Sequence, residues 1–182
     1  MPRTGKTQED WIKAGQRLLI EGGIDSVRLP RLTESLGVST GSFYHHFDNL
    51  DAYHAALAAY YGSEQAQRLF DEARHAVGEG PGALLREATA IFGRGSTRQL
   101  NIAMRAWAHR DERALAAVRR YDEVLMQRLD QIFRGMGFDE LAAKSRTLIM
   151  MGLASLETSG DLEPSFQARW LHIRDVILKD AP

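Results

Sequence analysis

The chain has 182 residues, 44% hydrophobic and 26% charged, with 23 Lys and Arg against 24 Asp and Glu and a net charge of −1. This is globular composition at a length that supports one large or two small domains, and the lack of cysteine excludes disulfide scaffolds, thiolate metal sites and cysteine nucleophiles. The charge balance means that a nucleic-acid partner must be argued from local residues and not from bulk charge.

No apolar run approaches the roughly 20 residues of a membrane span. The N-terminal residues hold no apolar core behind their basic side chains, so no secretion signal and no membrane partner are expected. Apolar residues recur at helical spacing, and no segment alternates with the period of a strand, so the fold class is all-α. The first helix is predicted from Thr7 to Glu21, with Trp11, Ala14, Leu18 and Leu19 on one face and Gly22-Gly23 as its stop. A second begins near Leu29, where Pro30 suits the first turn, places Leu32 and Leu36 inward and ends at Gly37. A third is predicted from Thr40 to Phe47, capped by Ser39, with Phe43 and Phe47 facing inward. Asp48-Asn49 then breaks the chain and caps a longer helix from Leu50. Loops are predicted at 78–82 and 93–96. A long helix follows from Glu112 to Arg134, with Leu115, Val118, Leu125, Leu129, Ile132 and Met136 as its stripe. Two more helices run from Glu140 to Thr158 and from Ser165 to Lys179.

Residues 29–47, LPRLTESLGVSTGSFYHHF, carry the most information. Two short helices joined by a glycine-containing turn are the helix-turn-helix layout. Leu32, Leu36, Val38, Phe43 and Phe47 form the apolar set that fixes the angle between them. Thr40, Gly41, Tyr44 and His45 fall on the opposite side of the second helix, where Tyr44 and His45 reach furthest toward phosphates or base edges. A plain helical hairpin in a core has the same geometry.

The stretch from Gly23 to Tyr53, with Gly37-Val38-Ser39, Gly41 and Phe43-Tyr44-His45-His46-Phe47, resembles the DNA-binding domain of the TetR family of transcriptional regulators. The resemblance implies an N-terminal three-helix DNA-binding domain at 1–48 and an all-helical effector-binding and dimerisation domain at 49–182. It implies a cytoplasmic one-component regulator, usually a repressor, that binds a palindromic double-stranded operator as a homodimer and responds to an unspecified small molecule. Thr40, Gly41, Ser42, Tyr44 and His45 match the groove-reading positions, and His46 matches a position near the DNA backbone. Arg28 and Thr40 open the second and third helices, where amides meet phosphates. The family often has a lysine three residues after the final Phe; here that residue is Leu50, with Lys6, Arg3 and Arg28 as substitutes. Residues 1–50 hold six basic and six acidic side chains, so few phosphates are neutralised and a shallow salt dependence is expected.

Other signals point elsewhere. Gly37-Val38-Ser39-Thr40-Gly41 matches the nucleophile elbow, but that motif needs a preceding strand and a parallel sheet. His45 and His46 are adjacent and diverge by about 100° on a helix, which does not suit joint metal chelation. No acid–base pair, nucleophile constellation or cofactor loop stands out, so neither enzyme nor cofactor is expected. A helical small-molecule-binding protein or enzyme without DNA readout is the alternative class. Phe92, Met104, Trp107, Tyr121, Leu125, Met126, Met150 and Met151 are candidates for an inner surface, either an adaptable effector pocket or plain core. Asp122 lies beside that stripe and either emerges to solvent or meets a polar partner, a ligand among the options. Ile149, Gly152, Leu153 and Leu156, with Phe166, Trp170, Ile173 and Ile177, form two stripes. With their copies these would build a four-helix dimer interface, or they are buried within the monomer.

Overall fold

A computed structural model describes residues 5–93, 96–155 and 166–178. Among them every regular element is helical. Helix α1 (Gln8–Gly22) starts at a reciprocal capping box. Thr7 Oγ1 accepts from the Asp10 amide at 3.2 Å, and the Asp10 carboxylate accepts from the Thr7 amide at 2.8 Å. Its Trp11, Ala14, Leu18 and Leu19 are buried. A single 3₁₀ turn (Ile24–Ser26) leads to α2 (Leu29–Leu36), which ends at Gly37 in the left-handed region (φ 65°).

Helix α3 (Thr40–Tyr44) is shorter than its sequence suggests. After Tyr44 the amides of His46 and Phe47 both turn back to the Phe43 carbonyl, at 2.9 and 3.0 Å. The helix closes early, and Phe47 is carried beneath it into the core. Ser39 occupies the N-cap with extended backbone, but its side chain makes no capping hydrogen bond; the Ser39 carbonyl accepts from the Ser42 amide instead.

Asn49 caps α4 (Leu50–Tyr60), its side chain accepting from the Ala52 amide at 2.8 Å. The periodic run after Leu50 is interrupted by a π-helical turn (Tyr61–Gln65) before α5 (Ala66–Val77). The π turn shifts the inward face without breaking the rod. Helices α6 (Pro81–Gly93), α7 (Ser96–Ala108), α8 (Glu112–Gly135), α9 (Glu140–Ser155) and α10 (Phe166–Ile177) complete the chain. Helix α10 ends two residues before its expected limit. Residues 156–165, between the two final helices, lie outside the described residues. Helix α8 is the central strut, touching α4, the π turn, α5, α6, α7 and α9.

A buried hydrogen bond fastens helix α4 to α1. The Tyr53 hydroxyl donates to the Trp11 carbonyl at 2.7 Å, and burial pushes the Tyr53 phenol well above its ordinary range, so it stays a donor. The approach requires glycine at position 15, because a Cβ there would land on the Tyr53 hydroxyl. Tyr53→Phe is expected to lower unfolding stability by about 1 kcal/mol. Gly15→Ala should cost about 1–3 kcal/mol through overpacking. The double variant should be more stable than the sum of the two losses implies, as measured by urea denaturation.

Candidate nucleic-acid interface

The candidate reading face is built on four rings. Phe43, fully buried, meets Trp11 edge-on at 5.4 Å, Phe47 at 5.4 Å and Tyr53 at 5.7 Å; Phe47 meets Tyr53 edge-on at 4.9 Å. Edge-to-face pairs of this kind add to the burial of large apolar area and fix orientation. Trp11 belongs to α1, Phe43 to α3 and Tyr53 to α4, so the cluster joins three helices.

Thr40, Gly41, Tyr44 and His45 are all exposed, Tyr44 at 57%. Tyr44 stands edge-on against Phe43 at 5.4 Å, which limits where its ring can point. Ser42 is half-buried. His46 is half-buried too, with its ring 6.4 Å from Trp11 on the flank of the aromatic cluster. Arg28 is exposed and oriented by its own turn, Nε donating to the Asp25 carbonyl at 2.7 Å.

Most of the surrounding cations already have partners. Arg31 pairs with Glu21 at 3.2 Å, Lys13 with Glu9 at 2.9 Å, and Arg17 donates to the Ser35 hydroxyl at 3.3 Å. Lys6 is exposed, and Arg3 lies outside the described residues. Leu50 is half-buried and packs against the core, so the position of the family's lysine is an apolar contact here. Ser39 follows the loop after α2 and not a strand, which removes the structural context of a nucleophile elbow. No metal-holding group of three or more His, Asp or Glu occurs among the described residues.

In the C-terminal body, α5, α6, α8 and α9 enclose a narrow apolar cavity of about 350 Å³ of empty space, its open mouth included. Phe92, Leu125, Met150 and Met151 line it. Met104, Trp107, Tyr121, Asp122 and Met126 do not. Met104 is fully buried core. Trp107 lines a groove between α1 and α7, its ring 6.0 Å from His54. Tyr121 stacks on Tyr61 of the π turn at 4.7 Å. The polar partner of Asp122 is Arg105, which grips it through two hydrogen bonds of 2.5 and 3.1 Å. Arg105 Nε also donates to Asn101 Oδ1 at 3.0 Å, and Asn101 Nδ2 donates to the Tyr61 hydroxyl at 2.9 Å. Position along a single helix does not reveal such a relay, because its members come from the π turn, α7 and α8. Leu69, Phe70, Leu85, Leu129 and Ala154 were not among the inner-surface candidates and do line the cavity. Their signal was the ordinary apolar stripe, which every core helix shares.

Helices α9 and α10 present exposed apolar side chains. Leu141 is 77% exposed, Leu148 64%, Ile149 51% and Val176 58%. Gly152 is exposed, and a Cβ built on it would meet nothing within 4 Å. Leu153 and Ile173 are half-buried and Ile177 is buried in the monomer. Leu156 and the side chains of Phe166 and Trp170 lie outside the described residues.

The sequence model described as bacterial regulatory proteins of the tetR family matches residues 12–52, the span that holds the aromatic cluster and α3. No curated protein matches the chain. Among solved structures, a transcriptional regulator from Rhodococcus sp. Rha1 superposes with a TM-score of 0.71 at 19% identity, over 97% of this chain and 98% of its own. A TetR transcriptional regulator from Legionella pneumophila gives 0.68 at 12% identity, over 98% and 95%. The regulatory protein TetR from Rhodobacter sphaeroides gives 0.66 at 24% identity, over 92% and 94%. The helix-turn-helix segment at residues 12–52 thus matches the tetR family of bacterial regulatory proteins, and the whole chain shares the fold of these solved regulators.

Proposed function

We propose that the chain is a cytoplasmic repressor, not an enzyme, that binds a palindromic operator as a homodimer until a small molecule in its C-terminal body releases it. Residues 1–48 serve as the DNA-binding domain, and 49–182 carry effector binding and pairing. Thr40, Gly41, Ser42, Tyr44 and His45 meet the major groove, while Arg28, Lys6 and His46 meet the DNA backbone. The observation that supports this reading is the two-sidedness of the α3 segment: Thr40, Gly41, Tyr44 and His45 face solvent while Phe43 and Phe47 are locked beneath.

One such domain offers a small contact. Two of them, about 34–36 Å apart, span successive major grooves. The exposed apolar residues of α9 and α10 support pairing there, since burying Leu148, Ile149 and Val176 against their copies removes apolar area from water. An effector releases DNA only if it binds the non-operator conformer far more tightly than the operator-bound one.

Three outcomes test the reading. Tyr44→Ala and His45→Ala are each expected to weaken operator binding by about five- to 150-fold in fluorescence anisotropy with the melting temperature unchanged, since each lost base contact is worth about 1–3 kcal/mol. Unchanged affinity in both would remove the proposed readout. Leu148→Glu with Ile149→Glu should sediment as a monomer at micromolar concentration and lose tight operator binding. A salt titration should give a slope of log K on log salt shallower than about −5, because few unpaired cations flank the site. A slope near −10 would contradict the assignment of contacts.

A further inference from the structure

A groove runs along the junction between the N-terminal helices and the body, with α1 and the 3₁₀ turn on one side and α7 on the other. It holds about 710 Å³ of empty space, its open side included, against about 350 Å³ for the cavity between α5, α6, α8 and α9. Space on this scale admits a small molecule. Ile20, Ile24, Ile102, Ala103 and Trp107 make its walls apolar. The members from α7 recur at helical spacing from Gln99 to Trp107, a rise of about 12 Å. Arg110 follows one turn later, its amide donating to the Trp107 carbonyl at 2.9 Å. A neutral amide therefore stands at one end, a guanidinium at the other, and apolar side chains lie between.

Arg110 is the one charged residue among the groove's described lining. It pairs with Asp25 of the 3₁₀ turn at 3.5 Å, and both side chains are mostly exposed. So open and loose a pair contributes little. The guanidinium can exchange Asp25 for another carboxylate, whose two oxygens match its planar fork. Because Arg110 is exposed, an anion held there keeps part of its hydration and avoids the cost of full burial. An ammonium group in the same place meets like charge, and a wholly apolar molecule gains only the walls. A molecule seated in the groove touches Ile20 and Ile24 on the N-terminal side and Ile102 and Trp107 on α7 at once.

We propose that this groove binds an elongated apolar molecule carrying one carboxylate, with its apolar part on Ile20, Ile24, Ile102 and Trp107 and its carboxylate on Arg110 in place of Asp25. The site lies between α1 and α7, apart from the cavity of the body, and it stands whether or not an effector in the body releases DNA. Its occupant braces the N-terminal helices against α7 at their present angle.

The test uses the full chain without DNA and follows the binding of decanoate, decanol and decyltrimethylammonium by isothermal titration calorimetry at neutral pH. Decanoate is expected to bind saturably and decyltrimethylammonium most weakly. Arg110→Gln should weaken decanoate by about three- to tenfold, the worth of one partly exposed charge-assisted contact, and leave decanol unaffected. Asp25→Asn, which removes the competing carboxylate, should tighten decanoate and leave decanol unaffected. Ala106→Trp, which fills the groove, should abolish binding, whereas Ala88→Leu in the body cavity should not, with circular dichroism confirming each fold. Absence of saturable decanoate binding, equal effects of Arg110→Gln on decanoate and decanol, or binding that survives Ala106→Trp overturns the proposal. Sedimentation showing that Ala106→Trp separates two copies of the chain would give the groove to a protein contact and overturn it as well. None of these readouts involves an operator, so failure of this site and failure of the DNA reading are told apart.

Discussion

The contact of Phe43 with Trp11, Phe47 and Tyr53 holds the N-terminal helices together and sets the exposed face of α3. A five-residue helix has too few internal hydrogen bonds to hold itself. Helix α3 exists because the ring at its centre is wedged between rings from two longer helices. The same wedge turns Thr40, Gly41, Tyr44 and His45 outward. The exposed face of α3 therefore depends on residues buried beneath it.

Tyr53 ties that cluster to the rest of the chain. It stands on α4, and α4, the π turn and α5 form one helical run from residue 50 to 77. Near the far end of the run, Leu69 and Phe70 form part of the cavity wall. Between the two, Tyr61 is held by its stack on Tyr121 and its hydrogen bond from Asn101, while His54 Nε2 donates to the Val27 carbonyl at 3.0 Å. The cavity and the aromatic cluster beneath α3 are thus connected by packed side chains on a single rod, with its one irregular turn pinned against α7 and α8.

Charge is used sparingly and locally. Among the N-terminal helices, Glu21 pairs with Arg31 and Glu9 with Lys13. In the body, Arg105 holds Asp122 next to the two stacked tyrosines, and the phenol of Tyr61 is pushed well up by burial and stays neutral. The ion pair completes a hydrogen-bonded chain, so the carboxylate that stood out along the sequence has its partner inside the protein.

The all-helical fold, the helix boundaries near Gly22-Gly23, Gly37 and Asn49, and the sidedness of the segment from Thr40 to Phe47 were determined by the sequence alone. Those features are local: caps, glycine stops and period-3.6 stripes act within a few residues. The cavity was different. Phe92 and Met150 were legible as candidates, but Met104, Trp107 and Tyr121 carry the same residue types and pack elsewhere. Apolar character states that a side chain is buried and not which helix it meets. The early end of α3, the π turn, the pairing of Asp122 with Arg105 and the unmatched hydroxyl of Thr147 all depend on groups distant along the chain. Only the packing of helix against helix brings those groups together, or leaves one of them without a partner.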